Sequence, residues 1–258
     1  MHKKTISNNM SVFVIGHKPF SKPKDVIYKS ILVGKKDNSD KDDFDYVDDK
    51  SDNIANKNNN FCELTAIYWV WKNIKDCDAV GFSHYRRYFF KKRFSRSLDD
   101  VVDEKWVEKK MQKYDIILPE KLWLRKYNVK EQYCALHNLD DLNICRKIIE
   151  KKYPSFVESF DDVMQNKWFY PYNMFIMRGG DFDKYCQWLF GIMFEAEKMI
   201  DVSKYDDYNK RVFGFLAERL LTVWVLGNGL SVCEAPVNNT EEDMVSSNVK
   251  KILKRIIS

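Results

Sequence analysis

The chain has 258 residues, 45% hydrophobic and 31% charged, with a formal net charge of +5. Those values are ordinary for a soluble globular protein and leave room for one large domain or two small ones. The charge is too mild to imply DNA or RNA by itself, although it suits a polyanionic ligand such as a nucleotide diphosphate, or an anionic membrane surface. No run approaches the ~18–20 apolar residues of a membrane span, and the N-terminus has no apolar signal core, so a cytosolic protein is expected. The six cysteines, at 62, 77, 134, 145, 186 and 233, form no C-x-x-C pair. They read as reduced core residues, and a zinc site is disfavoured.

The first apolar run, SVFVIGHKPF at 11–20, reads as a buried strand that breaks at Gly16, and SILVG at 30–34 repeats the pattern. Residues 35–60 are rich in Asp, Asn and Lys and read as a long loop. The next segment places Leu64, Ile67, Tyr68, Trp71 and Ile74 on one helical face, with Asn60 and Glu63 at capping-box spacing. A strand at 79–82, a helix around 101–113 and a strand at 115–119 follow. Two or three helices fill 129–167, with a break at Tyr153-Pro154. NMFIM at 173–177 is a strand, and Asp181 is placed to cap the long helix after it. A buried helix at 211–227, a strand at 230–237 and a short basic amphipathic helix at 248–258 complete the chain.

Buried strands alternating with helices predict an α/β domain with a mostly parallel sheet over 1–240, followed by the C-terminal helix within 241–258. In such sheets ligands bind beyond the carboxyl ends of the strands. His17-Lys18, His84-Tyr85-Arg86-Arg87 and Arg178-Gly179-Gly180 end three strands, and cations there can converge on a phosphate. There is no P-loop, no G-x-G-x-x-G after a strand, no G-x-S-x-G and no H-E-x-x-H. Mn²⁺ or Mg²⁺ held by D-x-D and a diphosphate is left open. None of Asp43-Phe44-Asp45, Asp76-Cys77-Asp78 or Asp181-Phe182-Asp183 follows a strand as such a motif should.

The basic residues Arg86, Arg87, Lys91, Lys92, Arg93 and Arg96 alternate with Tyr85, Tyr88, Phe89, Phe90 and Phe94, a mixture that single-strand binders use. No second strip accompanies it, and a solvated basic loop is the simpler account of Lys91–Arg93. Glu218 stands inside an apolar helix, on one face with Arg211, Phe215 and Thr222. It reads either as a partner of Arg211 or Arg219 in a buried ion pair or as a general base.

Taken together, DNIANKNNNFCELTAIYWVWKN, GFSHYRRYF, DIILP, EQYCALHNLDDL, YPYNMFIM, YCQWLF and RVFGFLAERLL resemble an uncharacterised bacterial family from capsular and O-antigen polysaccharide loci. Its members are regarded as glycosyltransferases of GT-A-like fold, and some relatives are linked to galactofuranose transfer. The resemblance runs from about Val12 to Val237; Ser83 stands where many members have Cys, which speaks against a nucleophile there.

The resemblance implies a nucleotide-sugar donor, UDP-linked, with His17, Lys18, Asn53, Lys57 and Asn58 near the nucleotide. His84, Arg86 and Arg87 then lie near the diphosphate. Tyr133, His137, Tyr172 and Asn173 line the sugar or acceptor side, and Glu218 and Arg219 match an E-R-L motif. Glu218 and His84 are the catalytic candidates. The implied acceptor is a lipid-linked oligosaccharide at the inner leaflet, where the C-terminal helix can add a peripheral membrane contact. Nucleic acid is not an expected partner. The competing expectation is a non-catalytic carbohydrate- or nucleic-acid-binding module on the same fold.

Overall fold

A computed structural model describes residues 9–34 and 41–241. The C-terminal helix expected at 248–258 lies outside them. In chain order the elements are β1 (Met10–Gly16), β2 (Tyr28–Leu32), β3 (Tyr46–Val47), α1 (Asn58–Phe61), α2 (Leu64–Asn73), β4 (Ala79–His84), β5 (Arg87–Phe89), α3 (Glu104–Met111), β6 (Ile116–Pro119), β7 (Leu122–Trp123), α4 (Val129–Cys134), α5 (Leu139–Lys152), α6 (Val157–Gln165), β8 (Trp168–Phe169), β9 (Phe175–Arg178), α7 (Gly179–Glu197), α8 (Val212–Gly227), β10 (Val232–Ala235) and β11 (Val237–Asn239). The described residues divide into two compact units. One comprises those of Met1–Glu120, Met174–Cys186 and Ser231–Thr240, the other those of Lys121–Asn173, Gln187–Leu230 and Glu241.

The first unit is a sheet in the order β10-β6-β9-β4-β1-β2-β3, extended by β5 and β11. β1, β2, β3 and β4 are mutually parallel, as are β6 and β10. The expected class, a mostly parallel sheet flanked by helices, is the fold found. Strands β1 and β4 are apolar on both faces because both faces are covered. Phe13 stacks on Phe82, and Phe182 and Tyr185 from the start of α7 close over Phe175. Helix α2 is buried on more than one face: all seven residues from Leu64 to Val70 are buried, whereas Trp71 and Ile74 are half-exposed.

Four local expectations change. β9 runs antiparallel to β4, with Ala79 opposite Arg178. Arg178 therefore sits at the amino-terminal end of β4, not with the other strand-end cations, and donates to the carbonyls of Met111 and Tyr114. The polar segment before residue 60 is not all loop, since β3 pairs with β2 inside it. The Asn60–Glu63 capping box does not form. Cys62 adopts φ 52 between α1 and α2, so residues 60 and 63 do not share one helix start. Finally, α7 starts at Gly179, which puts Asp181 in its first turn instead of at its cap. Of the cysteines, Cys145, Cys186 and Cys233 are buried, Cys62 and Cys77 are intermediate, and Cys134 is exposed.

The second unit is helical, with the small antiparallel pair β7-β8. Helix α8 is its axis, with twelve of its sixteen residues buried. Trp224 stacks on Phe156 at 5.6 Å and touches Trp188 at 5.4 Å. Arg146 of α5 makes a two-pronged bond to Asp161 of α6, both contacts at 2.8 Å. The break expected at Tyr153-Pro154 is a 3-10 turn, Pro154–Phe156.

Gly179 is where β9 becomes α7. A Cβ there would lie 1.9 Å from the backbone oxygen of Cys77, which cannot yield as a side chain can. We expect Gly179→Ala to destabilise the protein by about 2–3 kcal/mol in urea unfolding, despite the better helix propensity of alanine.

Candidate functional site

Two clusters emerge, one in each unit. In the first, the parallel register sets Ile15 beside His84, and the Tyr85 N–H donates to the Ile15 carbonyl at 2.9 Å. The ends of β1 and β4 are therefore neighbours. HYRR is not a simple strand end but a two-residue hairpin: His84 faces Arg87, and β5 returns to pair with β11. Tyr85 at its tip gathers the cations. His17 meets its ring edge-on at 5.1 Å, Lys18 Nζ lies 5.3 Å from it, and the Arg86 guanidinium 5.2 Å. Thus His17, Lys18, His84, Arg86 and Arg87 come together on two adjacent strand ends.

The other three residues assigned to the nucleotide lie on the β3–α1 segment. Asn58 reaches the end of β2, where Gly34 has φ +70 and a Cβ would stand 2.5 Å from Asn58 Oδ1. Its amide also donates to the Cys62 carbonyl and to Thr65 Oγ1, both at 3.0 Å. Asn53 holds its own turn, donating to Ser51 O and accepting from Ala55 N–H. Lys57 lies 6.0 Å from the Phe61 ring.

Sequence reasoning missed Asp48, which directly follows β3. Its N–H donates to the Leu32 carbonyl at the end of β2. The side chain is buried at 3% exposure, and its Oδ2 has no hydrogen-bond partner. Burial pushes its carboxyl up to about 6, against the opposing effect of the Thr65 hydroxyl. The signal was hidden because Asp48 is one of many acids in a polar stretch.

The D-x-D tripeptides are engaged elsewhere. Asp45 accepts from the Ser30 N–H at 2.7 Å and pairs with Lys22. Asp76 and Asp78 precede β4, at the edge away from the strand-end cations, and their backbone carbonyl and N–H bond Asn9. Asp183 accepts from the Trp71 indole at 2.7 Å, and Asp181 lies 3.8 Å from Lys184. As placed, these donor sets do not fit a cation bridging strand ends and a diphosphate. No group of three or more His, Cys, Asp or Glu suited to a metal occurs among the described residues.

The aromatic centre of the basic-aromatic strip is internal. Tyr88, Phe89 and Phe90 are fully buried. Lys91, Lys92 and Arg93 pair with Asp103, Asp100 and Glu120. Phe94 alone among these aromatics stands well exposed, at 73%.

In the second unit Tyr133, His137, Tyr172, Asn173 and Arg219 converge with the catalytic candidate Glu218. Arg219 is buried, with its guanidinium over the Phe169 ring at 4.7 Å and the Tyr133 ring at 5.3 Å. It donates to Phe215 O, Glu218 Oε2 and Gln132 Oε1, at 2.9, 3.1 and 2.8 Å. Glu218 therefore makes the ion pair with Arg219, while Arg211 sits over Phe215. The other Glu218 oxygen accepts the Tyr172 N–H at 3.1 Å. Tyr172 and Asn173 both have left-handed backbones, φ 79 and 49, which is uncommon for non-glycine residues. Asn173 is anchored by donating to the Gly214 carbonyl at 3.0 Å. His137 stacks on Phe215 at 4.3 Å and contacts Asn209 Oδ1 through Nδ1 at 2.8 Å. Burial lowers its pKa, so the ring is neutral at pH 7. Tyr133 donates to the buried Asp141, which Tyr205 also bonds.

The profile of a family described as a domain of unknown function (DUF4422) matches residues 11–229. A solved structure of WbbM, a bifunctional glycosyltransferase in its apo form, is similar at TM-score 0.81 and 30% identity. The match covers 91% of this chain and 46% of that one, so the chain spans less than half of that protein's length. No curated protein matches.

Asp48 yields a pH prediction. Its pKa moves from 3.8 to about 6 on folding. The unfolded chain thus releases this proton first as pH rises, and stability is lost between about pH 4 and 6. The shift corresponds to roughly 3 kcal/mol above pH 6. Asp48→Asn is expected to raise the melting temperature at pH 8 and to leave it nearly unchanged near pH 4, read by differential scanning fluorimetry.

Proposed function

The chain belongs to the DUF4422 family, and on that premise we propose that it is a glycosyltransferase acting in bacterial capsule or O-antigen synthesis. The observation that carries the reading is the fold match to WbbM across 91% of the chain. The donor is a nucleotide-diphosphate sugar, UDP-linked, carrying galactofuranose or another hexose. The acceptor is a lipid-linked oligosaccharide at the inner face of the cell membrane, and the protein is cytoplasmic or peripheral there. None of the described helices is long and apolar enough to cross a membrane.

An acceptor hydroxyl oxygen forms a bond to the anomeric carbon as the bond to the diphosphate oxygen breaks. The hydroxyl proton passes to Glu218, and the electron pair leaves on the nucleotide diphosphate. Lys18, Arg86 and Arg87 of the sheet unit, with His84 beside them, are the groups we assign to the nucleotide diphosphate. Their place on two neighbouring strand ends supports this role. Arg219 is the positioning residue for Glu218. The nucleic-acid reading loses its main support, because three of the strip's five aromatics are core residues and three of its cations are paired.

Calorimetry with UDP tests the strand-end assignment. Binding should persist in EDTA, whereas Arg86→Ala and Arg87→Ala should each weaken it about tenfold or more. Binding that disappears in EDTA and returns with Mn²⁺ contradicts the metal-independent account.

Glu218→Gln keeps one oxygen for the Tyr172 N–H and leaves Arg219 two acceptors, the Phe215 carbonyl and Gln132 Oε1. Turnover should fall by about a hundredfold or more, with UDP affinity and the folded near-UV spectrum preserved. A variant that unfolds instead identifies Glu218 as a structural ion-pair partner.

A further inference from the structure

In the helical unit a ladder of rings runs from the core to the solvent. Tyr133 is fully buried, and its ring centre is 4.7 Å from that of His137. His137 stacks on half-buried Phe215 at 4.3 Å. Tyr208 closes the ladder, 5.1 Å from Phe215 and nearly parallel to His137, with an angle of 16°. Tyr208 is 51% exposed.

An exposed aromatic is ordinarily mobile, yet this one is backed by two rings and held by its turn. The Arg211 N–H donates to the Tyr208 carbonyl, and the Asn209 N–H to Asp206 Oδ1 at 2.7 Å. The rim is made of planar polar groups. Asn209 Oδ1 accepts only, so the His137 Nδ1 it contacts carries the proton. Asn138 donates to Tyr205 Oη, and the exposed Asp207 pairs with Lys210 at 2.9 Å. Rigid aromatic faces beside amides and carboxylates match a sugar ring, which has an aliphatic C–H face and hydroxyl edges. Phe215 and Glu218 share one face of α8, separated by three residues, about 4.5 Å of helix rise.

We propose that Tyr208, backed by His137 and Phe215, forms a saccharide subsite that stacks a sugar ring of the acceptor glycan close to Glu218. The assignment rests on the glycosyltransferase reading above, which it deepens by giving the acceptor a binding surface.

The test compares wild type with Tyr208→Ala and Tyr208→Phe, using a panel of n-octyl hexopyranosides and hexofuranosides. Transfer rates with nucleotide-sugar donors are measured together with acceptor binding by ligand-observed NMR in the absence of donor. Tyr208→Ala should raise the acceptor KM about tenfold, with kcat and UDP affinity within about twofold of wild type. Tyr208→Phe keeps the ring and should behave as wild type. An unchanged acceptor KM in a folded Tyr208→Ala variant overturns the subsite and leaves the transferase reading intact. So does equal damage by Tyr208→Phe, which points to the hydroxyl instead of the ring face. Absence of glycoside binding by the wild type also overturns the subsite. If wild type neither binds UDP nor transfers, while Tyr208→Ala still abolishes glycoside binding, the transferase reading fails and the subsite stands.

Discussion

Strand β4 is the member on which the sheet depends. It lies parallel to β1 through six paired positions and antiparallel to β9 through four. Both pairings bury it, which is why its sequence is apolar without alternation. The register with β1 then fixes where the polar residues fall. His84 emerges beside Ile15, the hairpin turns at Tyr85, and the cations of two separate segments meet around a single ring. No residue in that cluster needs a special conformation of its own to arrive there, because backbone pairing delivers it.

Much of the fold was legible for the same reason. Strands covered on both faces read as short apolar runs, and glycine or polar residues mark their ends. The helices of the second unit were legible from their length and from the Tyr153-Pro154 break. Direction was not. A four-residue strand carries the same pattern whichever way it runs, so Arg178 was grouped with cations at the opposite edge. β3 was hidden because two residues inside an acidic stretch cannot outweigh their surroundings. Asn60 and Glu63 had the right spacing for a cap, but the backbone at Cys62 leaves the helical region between them, and spacing alone does not encode that.

The candidate site was legible to different depths. The strand-end cluster followed from topology and chemistry. Arg219 and the five residues with it were grouped through resemblance, since they come from three segments far apart in the chain. Gln132 and Tyr208 escaped notice because each acts through tertiary contacts with residues more than seventy positions away or across a turn. The basic-aromatic strip shows the reverse error that composition invites. Three of its six cations, Lys91, Lys92 and Arg93, are answered by Asp103, Asp100 and Glu120, so local charge density in the sequence overstates local potential on the surface.

The turn at Tyr172-Asn173 gives Glu218 a second significance. Two successive left-handed, non-glycine residues cost about 1–3 kcal/mol each. Asparagine tolerates that region well, and tyrosine does not. The Glu218 carboxylate and the Gly214 carbonyl are fixed points on one helix that hold the turn in this shape. A carboxylate that takes up a proton or swings toward a ligand weakens one of these tethers, and the backbone at Tyr172 gains freedom at that moment. Charge on one side chain and the path of the main chain are thereby linked through the Glu218–Tyr172 bond.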